Sequence, residues 1–161
     1  MDVSDMNAPQ GKTAYIIKRK QLNLTREQAS ELISSQYITP DRLEKIENGR
    51  LIARPEEIVA IAEAYQAPEL TNYYCRHDCA IGEKYVLEIT PKELPQIAIE
   101  TVNSVNKLNQ IKERLLEIVE DGEISEDEYE DFRVIKLNLE KIVRSAESLQ
   151  LWLRQKGFGM E

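Results

Sequence analysis

Cys75, His77 and Cys79 form a C-x-H-x-C run, offering the thiolate and imidazole ligands that zinc prefers. A structural zinc site needs four ligands, and the chain has no other Cys or His, so the run is one short. The expectation is two partly buried cysteines in a loop. Glu117 to Glu128, EIVEDGEISEDE, places Asp121, Gly122, Ile124 and Glu128 where a calcium loop has a ligand, its glycine, its hydrophobe and its final bidentate Glu. Its first position is Glu117 and its third is Val119, which has no side-chain oxygen. Every residue there also fits a helix junction: Gly122 ends one helix, Ser125 caps the next and Glu128 completes a capping box. A single His, with no glycine-rich phosphate loop and no G-x-S-x-G elbow, gives no catalytic assignment and calls for no cofactor, so the chain is not expected to be an enzyme. What remains is the stretch from Leu24 to Arg50, LTREQASELISSQYITPDRLEKIENGR, polar and charged with two helix-start signals.

Two short helices must position that stretch. Thr25 is an N-cap and Gln28, three residues on, returns the bond as a capping box, so a helix starts near Thr25. Thr39 repeats the device, Pro40 falls where a missing N–H costs nothing, and Asp41 places negative charge in the first turn. Leu43 and Ile46 are spaced to pack inward, leaving Asp41, Arg42, Glu44 and Lys45 outward. Gly49 can take the left-handed conformation that stops the helix. Upstream, Tyr15, Ile16, Ile17 and Leu22 with Lys18, Arg19 and Lys20 read as a first amphipathic helix. Downstream, Pro55 opens a fourth helix through Ile58, Val59, Ile61, Ala62 and Tyr65 that ends before Pro68.

Arg19, Leu22, Leu24-Thr25, Leu43, the Ile46-Glu47-Asn48-Gly49-Arg50 ending, Pro55 and the Ile58 to Tyr65 helix together resemble the lambda-repressor/Cro family of helix-turn-helix regulators. The resemblance covers about residues 12 to 72, and the IENGR ending is its most specific element. It implies a bacterial or phage transcriptional regulator that binds double-stranded DNA. It also implies that the start of the third helix faces base edges, with Thr39, Asp41, Arg42 and Lys45 as groove contacts. There Arg42 and Lys45 can donate to guanine O6/N7 and Asp41 can accept from cytosine N4. Arg26, Asn48 and Arg50 are then the phosphate contacts. Aligning Ser30 with the family's small residue on helix two leaves about three extra positions, and Tyr37 stands where glycine is usual. A lengthened Ser34 to Tyr37 turn is therefore expected.

Charge is divided along the chain. The net charge is −8, yet Lys12 to Arg54 holds nine Lys/Arg against five Asp/Glu, a local +4 that coincides with the motif. From Arg76 to Glu161 twelve Lys/Arg face eighteen Asp/Glu, a local −6. Phosphate neutralisation needs cations, and +4 is modest, so a single copy is expected to bind DNA weakly. No apolar run approaches the ~20 residues of a membrane span, and Met1 to Gly11 is polar, so a cytoplasmic location with no membrane partner is expected.

The carboxy-terminal half reads as two long helices. Leu94, Ala98, Val102, Val105, Leu108, Ile111, Leu115 and Ile118 recur at steps of three and four. Phe132, Ile135, Leu139, Ile142, Ala146, Leu149 and Leu153 do the same, as in a coiled-coil seam. At ~1.5 Å per residue each helix is about 40 Å long, which an antiparallel hairpin buries best. Further apolar positions, Ile97, Ile99, Leu116 and Val119 on the first helix with Val134, Leu137, Val143, Leu151 and Trp152 on the second, exceed one interface and point to a homodimer through the same hairpin.

The expected fold is all-α. Residues 12–74 form a helix-turn-helix bundle of four or five short helices, 75–91 a linker loop, and 92–157 a long antiparallel helical hairpin for dimerisation. A dimer can read a palindromic operator with helix three, about 39–48, in the major groove. The other reading is a protein-interaction module acting through the acidic hairpin.

Overall fold

The computed structural model describes residues 13–33, 37–118 and 125–158, and among them all regular structure is helical. The chain divides into two units, Met1–Glu88 and Ile89–Glu161.

In the first unit α1 spans Ala14–Gln21, α2 Arg26–Ile33, α3 Pro40–Glu47, α4 Pro55–Ala64, α5 Glu69–His77 and α6 Ala80–Tyr85. Local chemistry accounts for most of these boundaries. At the start of α2 the Thr25 hydroxyl accepts the Gln28 N–H at 3.2 Å, while Gln28 Oε1 accepts the Thr25 N–H at 2.9 Å. Thr39 Oγ1 accepts the Arg42 N–H at 3.3 Å and Pro40 opens α3. Gly49, at φ 66°, closes α3: its N–H reaches Ile46 O at 3.0 Å and the Arg50 N–H reaches Lys45 O at 2.8 Å. These two bonds are a Schellman motif, which satisfies carbonyls that a helix end leaves open. Asn23 (φ 57°) closes α1 and Gln66 (φ 49°) closes α4 in the same way, with Leu24 N–H on Arg19 O at 3.2 Å and Ala67 N–H on Ala62 O at 2.8 Å.

The inward faces meet in one core. Leu43 and Ile46 of α3 pack with Ala29 and Ile33 of α2, Ile58, Ile61 and Tyr65 around α4, and Tyr15 of α1. Fully burying an aliphatic side chain of this size contributes about 1.5–3 kcal/mol. Sequence patterning places Arg19 with the solvated lysines of α1, but it is buried, and Leu22 is the exposed member. The cause is Glu47, described below.

Of the 75–91 linker loop expected, residues 75–77 and 80–85 are helical, while 86–91 have no regular structure. Cys75 to His77 complete α5, and α6 follows within two residues. Glycine makes this possible: a Cβ on Gly82 would lie 2.0 Å from the Cys75 carbonyl oxygen, so only a residue without a side chain lets α6 seat on α5. Cys79 Sγ accepts the Gly82 N–H at 3.5 Å and caps α6, and Asn72 Nδ2 donates to Leu87 O at 2.9 Å. The His77 ring stacks on Tyr73 at 4.3 Å, with its Nδ1 on the Tyr73 carbonyl at 2.9 Å. Among the described residues no group of three or more His, Cys, Asp or Glu is placed to hold a metal ion.

In the second unit α7 spans Leu94–Ile118 and α8 Tyr129–Gln155, with a 3-10 turn at Glu126–Glu128 before α8. Asn138 Nδ2 donates to Ser104 O at 3.1 Å and Arg114 Nε to Asp131 Oδ2 at 2.7 Å, which sets the two helices antiparallel. Glu128 Oε2 accepts the Ser125 N–H at 3.1 Å at the start of the 3-10 turn. Residues 119–124, with Gly122 and half of the calcium-like segment, lie outside the described residues, as do Ser34, Ser35 and Gln36 before α3.

The hairpin seam differs from the apolar heptad expected. In α8 the buried positions are Ile135, Asn138, Ser145, Ser148 and Leu151, while Leu139 and Leu149 are exposed. In α7 they are Ile97, Ser104 and Ile118, while Leu94, Val102 and Val105 are exposed. Hydroxyls explain how a polar seam is tolerated. Ser104 Oγ donates to Glu100 O at 2.8 Å, Thr101 Oγ1 to Ile97 O at 2.7 Å and Ser148 Oγ to Arg144 O at 2.8 Å, so each is satisfied within its own helix. No described helix is long and apolar enough to cross a membrane.

Candidate nucleic-acid interface

α3 is braced from behind by Leu43 and Ile46 and shows polar residues on its other side. Its position depends on Glu47, whose side chain is wholly buried. Arg19 Nε donates to Glu47 Oε1 at 2.5 Å and its Nη2 to Oε2 at 2.9 Å, while Nη1 reaches Leu24 O at 2.7 Å. The Glu47 hydrogen bonds are the largest cause that raises the Arg19 pKa above its ordinary value. Thr13 Oγ1 donates to the Glu47 carbonyl at 2.9 Å, so the start of α1 holds the end of α3 through both backbone and side chain. Ser30 Oγ donates to Ile38 O at 2.5 Å and ties α2 to the residue before the α3 cap.

The sequence-assigned residues fall as follows. Thr39 caps α3, and Asp41 and Lys45 are bonded to each other at the surface, Nζ to Oδ2 at 2.7 Å, one turn apart. Arg42 reaches Glu57 at the start of α4, Nε to Oε1 at 2.5 Å and Nη2 to Oε2 at 2.9 Å. Asn48 Nδ2 donates to Glu44 Oε1 at 2.6 Å, and Arg50 lies 3.4 Å from the same carboxylate. Arg26 Nε donates to Glu47 Oε2 at 3.0 Å. Thr39, Asp41, Arg42 and Lys45 are thus gathered on the first two turns of α3, with Asn48 and Arg50 past its end and Arg26 at the start of α2.

Each of the four cations in this set has a carboxylate partner: Arg26 with Glu47, Arg42 with Glu57, Lys45 with Asp41 and Arg50 with Glu44. Sequence reading did not single out Glu57 or assign Glu44 a partner. Glu57 sits at the third position of α4, and its Oε2 also accepts the Arg54 N–H at 2.8 Å, so its local role is that of a cap. That cap is legible in the Arg54-Pro55-Glu56-Glu57 order; the reach to Arg42 across fifteen residues is not. The Arg42 hydrogen bonds are the largest cause holding the Glu57 pKa below the usual carboxylate value, against the effect of burial.

Residues 18–71 match the family model described as a helix-turn-helix domain. No curated protein and no solved structure matches the chain. The matched segment runs from within α1 into α5 and contains the whole α2–α3 pair with every assigned contact residue from Arg26 to Arg50. The chain carries a helix-turn-helix domain of the Cro/repressor-like type, and that domain supports a DNA-binding regulator.

Proposed function

We propose that this protein is a sequence-specific transcriptional regulator, not an enzyme, that reads a palindromic operator as a homodimer with α3 in the major groove. The observation that carries the reading is α3 itself: capped at Thr39, closed at Gly49, buried along Leu43 and Ile46, and polar on the opposite side. Thr39, Asp41, Arg42 and Lys45 meet base edges; Arg26, Asn48 and Arg50 hold phosphates. With its cations paired internally, one domain contributes little counterion release, so selective binding requires two copies at half-sites about 34–36 Å apart.

The hairpin supports the second copy. In an antiparallel pair the residue after each seam position points to the same side of both helices. Along the middle of the hairpin these include Ala98, Val102 and Val105 on α7 and Leu139, Val143 and Ala146 on α8; all are exposed. Ile99, Asn103, Asn106, Asn109 and Gln110 adjoin them on α7 without a charge and are exposed as well. This apolar strip, uncharged on α7 and flanked by Lys136, Glu140 and Glu147 on α8, suits a second copy of itself, because a two-fold makes one patch complementary to itself.

Selection from random duplexes on the purified full chain tests the function, and enrichment of a palindromic site is expected. Arg42→Ala is expected to relax sequence choice, whereas Arg50→Ala is expected to weaken all duplexes and lower the salt dependence by about one unit of slope. The carboxylate beside every assigned cation favours a second reading, a protein-interaction module. Failure to enrich any duplex at low salt supports that module instead.

A further inference from the structure

Of the cations assigned to the α3 face, Arg42 is the one gripped by two separate hydrogen bonds to a nearly buried carboxylate. Glu57 is about 6 % exposed and is itself fixed, since one of its oxygens also holds the Arg54 N–H. It takes Nε and one N–H of Nη2. A guanidinium has five N–H groups in one plane, so an unoccupied edge remains, with one N–H from Nη1 and one from Nη2 lying parallel. Among the described residues Nη1 has no hydrogen-bond partner. Two parallel donors are what guanine O6 and N7 accept in the major groove. Lys45 differs: its ammonium is a point charge on a flexible stem, held by an exposed Asp41, and carries no planar information.

We propose that Glu57 is a positioning residue for base reading, fixing the Arg42 fork so that its Nη1/Nη2 edge meets a single guanine. The proposal rests on the DNA-reading function above. Arg42 and Glu57 form a neutral pair, so the pair contributes selectivity at one base pair and little attraction to phosphate. Selectivity and general affinity are thereby assigned to different residues of one face.

The test compares wild-type full chain with Glu57→Gln and Arg42→Lys by enrichment from random duplexes, by titration of an unrelated duplex, and by helix content and melting. Both variants are expected to lose preference for guanine at the same position by roughly tenfold, the scale of one bidentate base contact. Glu57→Gln is expected to bind the unrelated duplex at least as tightly, because the Arg42 charge is no longer neutralised by its partner. If the Gln variant melts early, Glu57→Asp, which keeps the charge and shortens the reach, is expected to show the same selectivity loss at native helix content. The positioning role is overturned if Glu57→Gln keeps a guanine preference that Arg42→Lys loses, or if folded Glu57 variants lose all sequences equally. No enriched site for the wild type is a different outcome: it overturns DNA reading itself and this role with it.

Discussion

Glu47, at the end of α3, is held by Arg19 of α1 through two hydrogen bonds of 2.5 and 2.9 Å, with the carboxylate wholly buried. Removing one member of such a pair leaves the other charge buried without compensation, which costs about 3–5 kcal/mol. Glu47→Ala is expected to lower stability on that scale in urea denaturation. A loss within a few tenths of wild type would mean that the pair is solvated and α3 is held by its apolar face alone.

Gln66 stands at φ 49° where α4 closes, a conformation that costs a residue with a Cβ roughly 1 kcal/mol. Gln66→Gly relieves this and is expected to raise the melting temperature by a few degrees. An unchanged or lower value would show that the extra freedom of glycine in the unfolded chain offsets the gain.

The hydroxyl of Tyr65 is buried in the helix-turn-helix core and has no hydrogen-bond partner among the described residues. Burial is the first cause that raises its pKa above the ordinary tyrosine value. Tyr65→Phe removes the unsatisfied group and keeps the ring, so stability is expected to hold or rise by up to about 1 kcal/mol. Marked destabilisation in a thermal melt would contradict this.

Acid is expected to weaken the α3–α4 contact. Glu57 has a folded pKa held below its unfolded value of 4.5, first by the Arg42 hydrogen bonds. Its contribution is therefore present above about pH 4.5 and is lost as pH falls through the depressed folded value. Urea midpoints measured from pH 6 to pH 3 should decline in that acid range, and less steeply for Glu57→Gln. Equal slopes for the two proteins would remove Glu57 from the account.

Val102 and Val143 lie on the apolar, exposed strip of the hairpin, at 57 % and 49 % exposure. Placing a carboxylate there by Val102→Glu is expected to halve the mass seen by light scattering at micromolar concentration without loss of helix. A wild-type monomer would sink the dimer.

The features of this fold most legible in sequence are those governed by near neighbours. The Thr25–Gln28 box, the Thr39 cap and the Gly49 stop each depend on atoms within about four residues, and each is found as its residues suggest. Leu43 and Ile46 follow from helical spacing. The ion pairs of the candidate site do not, because Arg42 meets Glu57 and Arg26 meets Glu47 only after the helices pack. The hairpin divides in the same way. Ile118 and Ile135 are buried as the apolar pattern implies, but Asn138 and Ser104 occupy seam positions that a hydrophobic count assigns to Leu139 and Val105. Their polar groups are satisfied by i−4 carbonyls and by the facing backbone, which no tally of apolar residues registers.

The Gly82 contact makes the corner between α5 and α6 a filter on volume alone. A single methyl there must push apart helices whose atoms already touch, whatever its polarity. Cys79 adds a chemical handle to the same corner: its sulfur is the acceptor that starts α6, so alkylating that thiol would uncap the helix without altering one residue of the sequence.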